Sequence, residues 1–173
     1  MLRISRLTDY AFILLTELAG EGNEQVLSGS TLAERTPLPL PTVRKVLKQL
    51  GQEGLLESRQ GAHGGYALAK PADELAVSEV IDAMEGPVSV TMCCDDEETC
   101  EIEHECPTSD GWKIVNAAIR STLRNLTLTD IQQGPASEKL LAAARSGPGE
   151  PQAPTAGGRE PVDDSGPARR SEP

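Results

Sequence analysis

The sequence predicts a mainly α-helical domain with one small β-hairpin, a long amphipathic helix after it, and a tail that does not join the core. Three observations carry this prediction. Apolar residues return at helical spacing in one segment after another, most of them opened by a capping residue and closed by glycine or proline. Two short strand-like runs flank the stretch Gly61, Ala62, His63, Gly64 and Gly65. Beyond about Gly134 the chain turns to Pro, Gly, Ser, Ala and charge, as in 146–154 and 165–173, a composition that buries too little apolar area to offset the entropy of ordering.

In the first segment Leu7, Tyr10, Ala11, Leu14, Leu15 and Leu18 share a face, with Ser5 placed to cap the helix and Gly20 to stop it. Ser28 caps a short second helix reaching Arg35, with Leu32 and Ala33 inward, and Pro37, Pro39 and Pro41 punctuate the turn that follows. Pro41 suits the first position of a third helix, because the N–H it lacks is one a helix leaves unpaired there. That helix runs to about Glu53. Val43, Val46, Leu47 and Leu50 form its apolar stripe, while Arg44, Lys45, Lys48 and Gln52 fall on other faces.

Leu55 to Arg59 and Tyr66 to Ala69 read as the two strands of the hairpin. Ser78 caps a further helix through Met84, with Val80, Ile81 and Met84 inward and Gly86 and Pro87 as the stop. From Trp112 to Leu126 the residues Trp112, Val115, Ile119, Leu123 and Leu126 form a long stripe. A small domain has few surfaces to cover it, so a second copy is the expected partner. Lys139 to Arg145 has the composition to extend a helix briefly. The division predicted is 1–88 for a DNA-binding head, 89–110 for a cysteine-rich loop, 111–131 for a dimerisation helix and the end of the domain, and 132–173 for a disordered tail.

No window holds the roughly 18 consecutive apolar residues of a membrane span, and the N-terminus lacks a signal-peptide pattern, so a cytoplasmic protein is expected. The net charge of -11 hides an uneven distribution. Residues 1–70 hold eight Lys or Arg against seven Asp or Glu, a net of +1, whereas the remainder holds eight against twenty, a net of −12. Asp95, Asp96, Glu97, Glu98, Glu101, Glu103 and Glu105 lie among the cysteines, which leaves the N-terminal region free to present cations to an anionic partner.

A helix, a short capped helix, a proline-punctuated turn, a cationic helix and a glycine-rich hairpin make the succession of a winged helix-turn-helix, in which one helix enters the major groove. On that reading Thr42, Arg44, Lys45 and Lys48 face double-stranded DNA. Arg59 and His63 of the wing lie near the minor groove or backbone, and Arg3, Ser5 and Arg6 are candidate phosphate contacts.

All four cysteines fall between Cys93 and Cys106. In a reducing compartment such clustering points to metal ligands or a redox device rather than structural disulfides. Cys94, Cys100 and Cys106 are each separated by five residues, in a loop of acids and small polar side chains. Three thiolates from one loop suit an iron-sulfur cluster with a fourth ligand of another kind, a ligation that fits a sensor. Zinc, which favours closely spaced cysteine pairs, and a thiol–disulfide switch in which the adjacent Cys93 and Cys94 exchange with Cys100 or Cys106 are the rivals. His104 is a further candidate ligand. The surrounding carboxylates are expected to lower a cluster's reduction potential. No nucleophile–base pair, cofactor loop or catalytic acid pair stands out, so an enzyme is not expected.

The opening 2–11, the wing 61–69, and Cys94, Cys100 and Cys106 resemble the Rrf-two type regulators over residues 1–131. The likeness is greatest to repressors of the SUF iron-sulfur assembly operon, with IscR-type and nitric-oxide-sensing NsrR-type regulators as relatives. The resemblance implies a homodimer with winged-helix heads, crossed dimer helices and one cluster per subunit, of four or of two irons, and the twofold symmetry of such a dimer predicts a palindromic operator. Members that bind a two-iron cluster through histidine place it three residues after the last cysteine, where this chain has Ser109. Relatives with a four-iron cluster recruit an aspartate from the start of the partner's first helix, and Asp9 stands at the matching place. Asp9 of the partner subunit is therefore the implied fourth ligand, with Cys93 and His104 as alternatives, although Asp9 also suits the positive end of its own helix.

Two departures limit what carries over. Gln60 stands where many relatives have an arginine, and Arg44 and Lys45 replace an acid and a glutamine found in others, so neither wing readout nor operator sequence transfers. Expected, then, is a cluster-dependent transcriptional repressor of iron-sulfur assembly genes. A thiol- or nitric-oxide-responsive repressor and a DNA-free cluster carrier stand as alternatives.

Overall fold

The computed structural model describes residues 3–20, 25–61, 64–95, 100–134, 137–139 and 142. Its first helix, α1 (Arg6–Ala19), begins where Ser5 turns its Oγ onto the Thr8 N–H at 3.3 Å and ends where Gly20 takes φ 40°. α2 (Gly29–Arg35) repeats the device, with Ser28 Oγ accepting from Thr31 N–H at 3.1 Å. α3 (Leu40–Gln52) starts one residue before the expected Pro41, which occupies the second helical position. Proline is tolerated in either place, because a helix leaves its first N–H groups without internal partners.

Val43, Val46, Leu47 and Leu50 of α3 are fully buried against Leu14, Leu15 and Leu18 of α1 and Leu32 of α2. Each such side chain stabilises the fold by about 1.5–3 kcal/mol, so this stripe locks the cationic side of α3 outward. β1 (Leu56–Arg59) and β2 (Gly65–Leu68) pair antiparallel, with Leu56 opposite Leu68 and Arg59 opposite Gly65. Leu27 adds a bridge, exchanging bonds of 3.0 and 2.9 Å with Tyr66. A Cβ on Gly65 would lie 2.5 Å from the Leu27 carbonyl oxygen, so the close approach of that segment requires a glycine.

α4 (Val77–Glu85) corrects the expected cap. Ser78 is buried inside the first turn, and the cap is Ala76, whose N–H is taken by the Glu79 carboxylate at 2.9 Å. The start moves because Ala76 pairs with Thr127, and Val77 N–H bonds to the Leu126 carbonyl at 2.9 Å. α5 (Ser109–Asn125) begins three residues ahead of Trp112. One short helix was not foreseen, α6 (Leu128–Gln133), opened by a reciprocal pair in which Thr127 Oγ1 accepts from the Asp130 N–H and Asp130 accepts from the Thr127 N–H at 2.9 Å. α6 packs on α1, Leu128 is fully buried, and Ser137 donates to Asp130 at 2.9 Å. Among the described residues no helix is long and apolar enough to cross a membrane. The tail from 143 onward lies outside the described residues, as does most of the brief helix expected after Lys139.

Candidate functional site

The stripe that buries one side of α3 leaves Arg44, Lys45 and Lys48 exposed and Thr42 half-buried. Arg59 is exposed at the end of β1, and Arg3, Ser5 and Arg6 are exposed around the start of α1. Among the described residues the ion pairs fall on Lys70, Lys113 and Lys139, and none on these six arginines and lysines. Exposed cations without internal counter-charges suit binding to phosphate. His63 lies outside the described residues. Ser5 does more than the sequence suggested, since its side chain caps α1 while its N–H is held by Glu85 at 2.7 Å.

The cysteine segment hangs between α4 and α5. Cys93 and Cys94 sit on a short helical turn, Met92–Cys94, and His104 is exposed on a second, Glu103–Glu105. All four cysteines are free thiols of intermediate exposure. Hydroxyls serve three of them. The Thr91 hydroxyl lies 3.1 Å from Cys93 Sγ and donates to Cys94 Sγ at 3.3 Å, and Thr108 Oγ1 lies 3.3 Å from Cys106 Sγ. Bonding from the Thr108 hydroxyl, then from its backbone N–H, holds the Cys106 thiol below the usual range. That favours the thiolate, the form that ligates metal.

Thr91 and Thr108 were not singled out from sequence; the signal was a hydroxyl two residues from a cysteine. A polar face of α5 completes the surroundings. Lys113, Asn116, Arg120 and Arg124 line a cleft of about 430 Å³ together with Cys93, Cys94 and Asp95. Lys113 is paired with Glu103 at 2.5 Å, which keeps that carboxyl ionised below its ordinary range. Of the acids expected to tune a cluster, Asp95 is described and 96–98 lie outside the described residues.

The donor set fits an iron-sulfur cluster in its chemistry, being soft, partly exposed and hydroxyl-supported thiols. Within one chain the geometry is incomplete: among the described residues no three His, Cys, Asp or Glu side chains converge on a common metal position. Asp9 is exposed in the first turn of α1 and does not complete such a set with the cysteines of its own chain. At the position implied for histidine in some relatives, Ser109 Oγ is buried and has no hydrogen-bond partner among the described residues.

A family model described as Rrf2, an iron-dependent transcriptional regulator, matches residues 4–134. The chain belongs to the Rrf2 family. It is thus a transcriptional regulator and not an enzyme, and its winged-helix fold is shared with solved structures. CymR, the global cysteine regulator of B. subtilis, superposes with a TM-score of 0.60 at 28% identity, covering 77% of this chain and 98% of CymR. IscR of T. potens gives a TM-score of 0.57 at 26% identity, covering 76% of this chain and 87% of the other. The helix-turn-helix-type transcriptional regulator IscR of Erwinia tasmaniensis is 29% identical over 149 residues, covering 86% of this chain and 88% of that protein. The Rrf2 match includes the cationic helix, the wing and the whole cysteine segment.

Proposed function

We propose that this Rrf2-family regulator is a homodimer that represses iron-sulfur assembly genes of the SUF type from a palindromic operator, with its DNA affinity set by an iron-sulfur cluster. Cys94, Cys100 and Cys106 would hold the cluster, and Asp9 of the partner subunit would complete the ligand set. The observation that carries this is the cysteine segment itself: thiols on one connection between the DNA-reading head and α5, met by hydroxyls from Thr91 and Thr108. When bound, the group supplies a ligation state that oxidant, nitric oxide or iron shortage can change.

The chain's own residues do the rest. Arg44, Lys45 and Lys48 meet the major groove with Thr42, Arg59 and His63 contact the flanking duplex, and Arg3, Ser5 and Arg6 hold phosphates. Trp112 and Val115, 43% and 44% exposed on α5, supply apolar surface for the partner subunit. A ligand reaching across that interface fixes the spacing of two α3 helices, which is how a twofold reader matches half-sites one turn apart.

The test is anaerobic purification, Mössbauer and optical spectra of wild type, Asp9→Ala and Cys106→Ala, and binding to the protein's own upstream DNA. Cluster signals lost in Cys106→Ala and altered in Asp9→Ala, with operator affinity changing alongside, are expected. Equal affinity of iron-loaded and iron-free dimers at fixed salt would refute the coupling. A thiol-based response is the second reading, favoured by Cys93 and Cys94 sharing the Thr91 hydroxyl and by the likeness, at 28% identity, to an oxidised form of S. aureus CymR. It predicts iron-free material whose DNA affinity changes with disulfide formation.

A further inference from the structure

The last turn of α4 touches the start of α1 and the helix α3, and leads directly into the approach to the cysteines. Gln49, half-buried on α3, donates its side-chain amide to the Ala83 carbonyl at 3.0 Å and the Met84 carbonyl at 3.3 Å. Carbonyls in a helix's final turn have no partner within that helix, so Gln49 supplies bonds that α4 cannot make for itself. Glu85 reaches the other way, accepting the Ser5 N–H at 2.7 Å and the Thr8 hydroxyl. Its carboxylate sits at the positive end of α1, where a negative charge is favoured. Burial pushes the Glu85 carboxyl up, but the bonds from Thr8 and Ser5 outweigh it and hold the group below its ordinary range.

From this turn the chain leaves through Gly86, at φ 88°, and Pro87 to reach Val90, whose N–H is bonded to Asn116 of α5 at 3.2 Å. Cys93 and Cys94 follow within four residues. The exit is not packed solid: a cavity of about 420 Å³ lies between it and α5, lined by Arg3, Ile4, Glu85, Val88, Val90 and Leu123 among others. The 86–90 segment therefore has room to shift, while the turn before it is bonded on both sides.

We propose that Gln49 and Glu85 are positioning residues that transmit the state of the cysteine segment to the DNA-reading surface. A displacement of 86–90 moves the last turn of α4, Gln49 carries it into the C-terminal half of α3, and Glu85 carries it to Ser5, between Arg3 and Arg6. Coupling of this kind is carried by hydrogen-bonded and packed elements that both sites bias, and these bonds tie the end of α4, which leads into the cysteine segment, to α1 and α3. This inference rests on the reading of α3 as the DNA-contacting helix and of the cysteine segment as the sensor.

The test compares operator affinity of iron-loaded and iron-free full-length protein at fixed salt for wild type, Gln49→Met, Glu85→Ala and Glu85→Gln. Hydrogen exchange of 40–52 is followed in parallel. Wild type is expected to show a ratio of about tenfold or more between the two states. Gln49→Met and Glu85→Ala should bring it below about threefold with iron content per chain unchanged, and the exchange of 40–52 should stop responding to iron. Glu85→Gln keeps an oxygen for Ser5 and Thr8 and should recover a ratio within about twofold of wild type. If Glu85→Ala does not fold, Gln49→Met and Glu85→Gln decide the matter. A Gln49→Met or Glu85→Ala variant that keeps the full wild-type ratio overturns the proposal. An iron-loaded wild type with a ratio of one overturns it by a different route, because the sensor reading itself has then failed.

Discussion

Lys48→Ala should weaken DNA binding and also make it less sensitive to salt. Lys48 is exposed on α3, on the side away from the buried Val43 and Leu50, and no ion pair among the described residues occupies it. A lysine that neutralises one phosphate contributes ~0.9 to the slope of log affinity against log salt. In a twofold dimer the substitution removes two such contacts, so the slope should become shallower by ~1.8. Between 50 and 200 mM salt the variant should then lose ~12-fold less affinity than wild type. The assay is fluorescence anisotropy on an upstream fragment at several salt concentrations. Lys70→Ala is the control, since that cation is held by Glu79 at 2.6 Å and is not part of the expected DNA face. An unchanged slope in Lys48→Ala, or an equal change in Lys70→Ala, would remove α3 from the phosphate interface.

Four further outcomes are expected. Leu47→Ala opens a cavity at a fully buried position and should cost about 2–5 kcal/mol by urea denaturation, whereas a loss under 1 would contradict the packing described. Gly65→Ala places a methyl 2.5 Å from the Leu27 carbonyl oxygen and should destabilise by about 1–3 kcal/mol; wild-type stability would mean that this bridge is absent in solution. Burial raises the Asp130 carboxyl, but bonds from Thr127 and Ser137 and the charge of Lys139 hold it below its ordinary value. Its folded pKa thus lies under the unfolded one, near 3.9, so its stabilisation is complete above about pH 5, declines as pH passes the unfolded value and is lost as pH falls through the lower, folded one. Asp130→Asn should flatten that acid limb in thermal melts across pH, and an unaltered limb would assign the effect elsewhere. Ser109→Ala removes a buried hydroxyl that has no partner among the described residues and should leave stability unchanged or raise it by up to about 1 kcal/mol, with iron content intact; loss of iron would count for Ser109 as a ligand.

The head of the molecule was readable because its signals are local. Ser5 and Ser28 cap the helices they precede, Gly20 stops the first, and the stripe Val43, Val46, Leu47 and Leu50 is buried as its period requires. Errors arose where tertiary pairing overrode a local cap. Ser78 has the right chemistry for a helix start, but the bridge between Ala76 and Thr127 begins α4 earlier. α6 was missed because six residues carry little periodicity, although Thr127 and Asp130 had the spacing of a reciprocal cap.

The candidate site divides in the same way. Its exposed cations and its thiols follow from residue type and spacing. Gln49 and Glu85 do not, since each acts on a residue more than thirty positions away. Ligand convergence does not follow from spacing either, since among the described residues the cysteines, evenly spaced as they are, form no metal-holding group within one chain.

Native mass spectrometry of the full chain, purified without oxygen, tests the cluster-dependent dimer most directly. A dimer carrying one iron-sulfur cluster mass per protomer, reduced to the bare polypeptide mass when Cys94, Cys100 and Cys106 are replaced by alanine, is the predicted result. A wild-type spectrum showing only metal-free chain, from material that still shifts its operator normally, would contradict it.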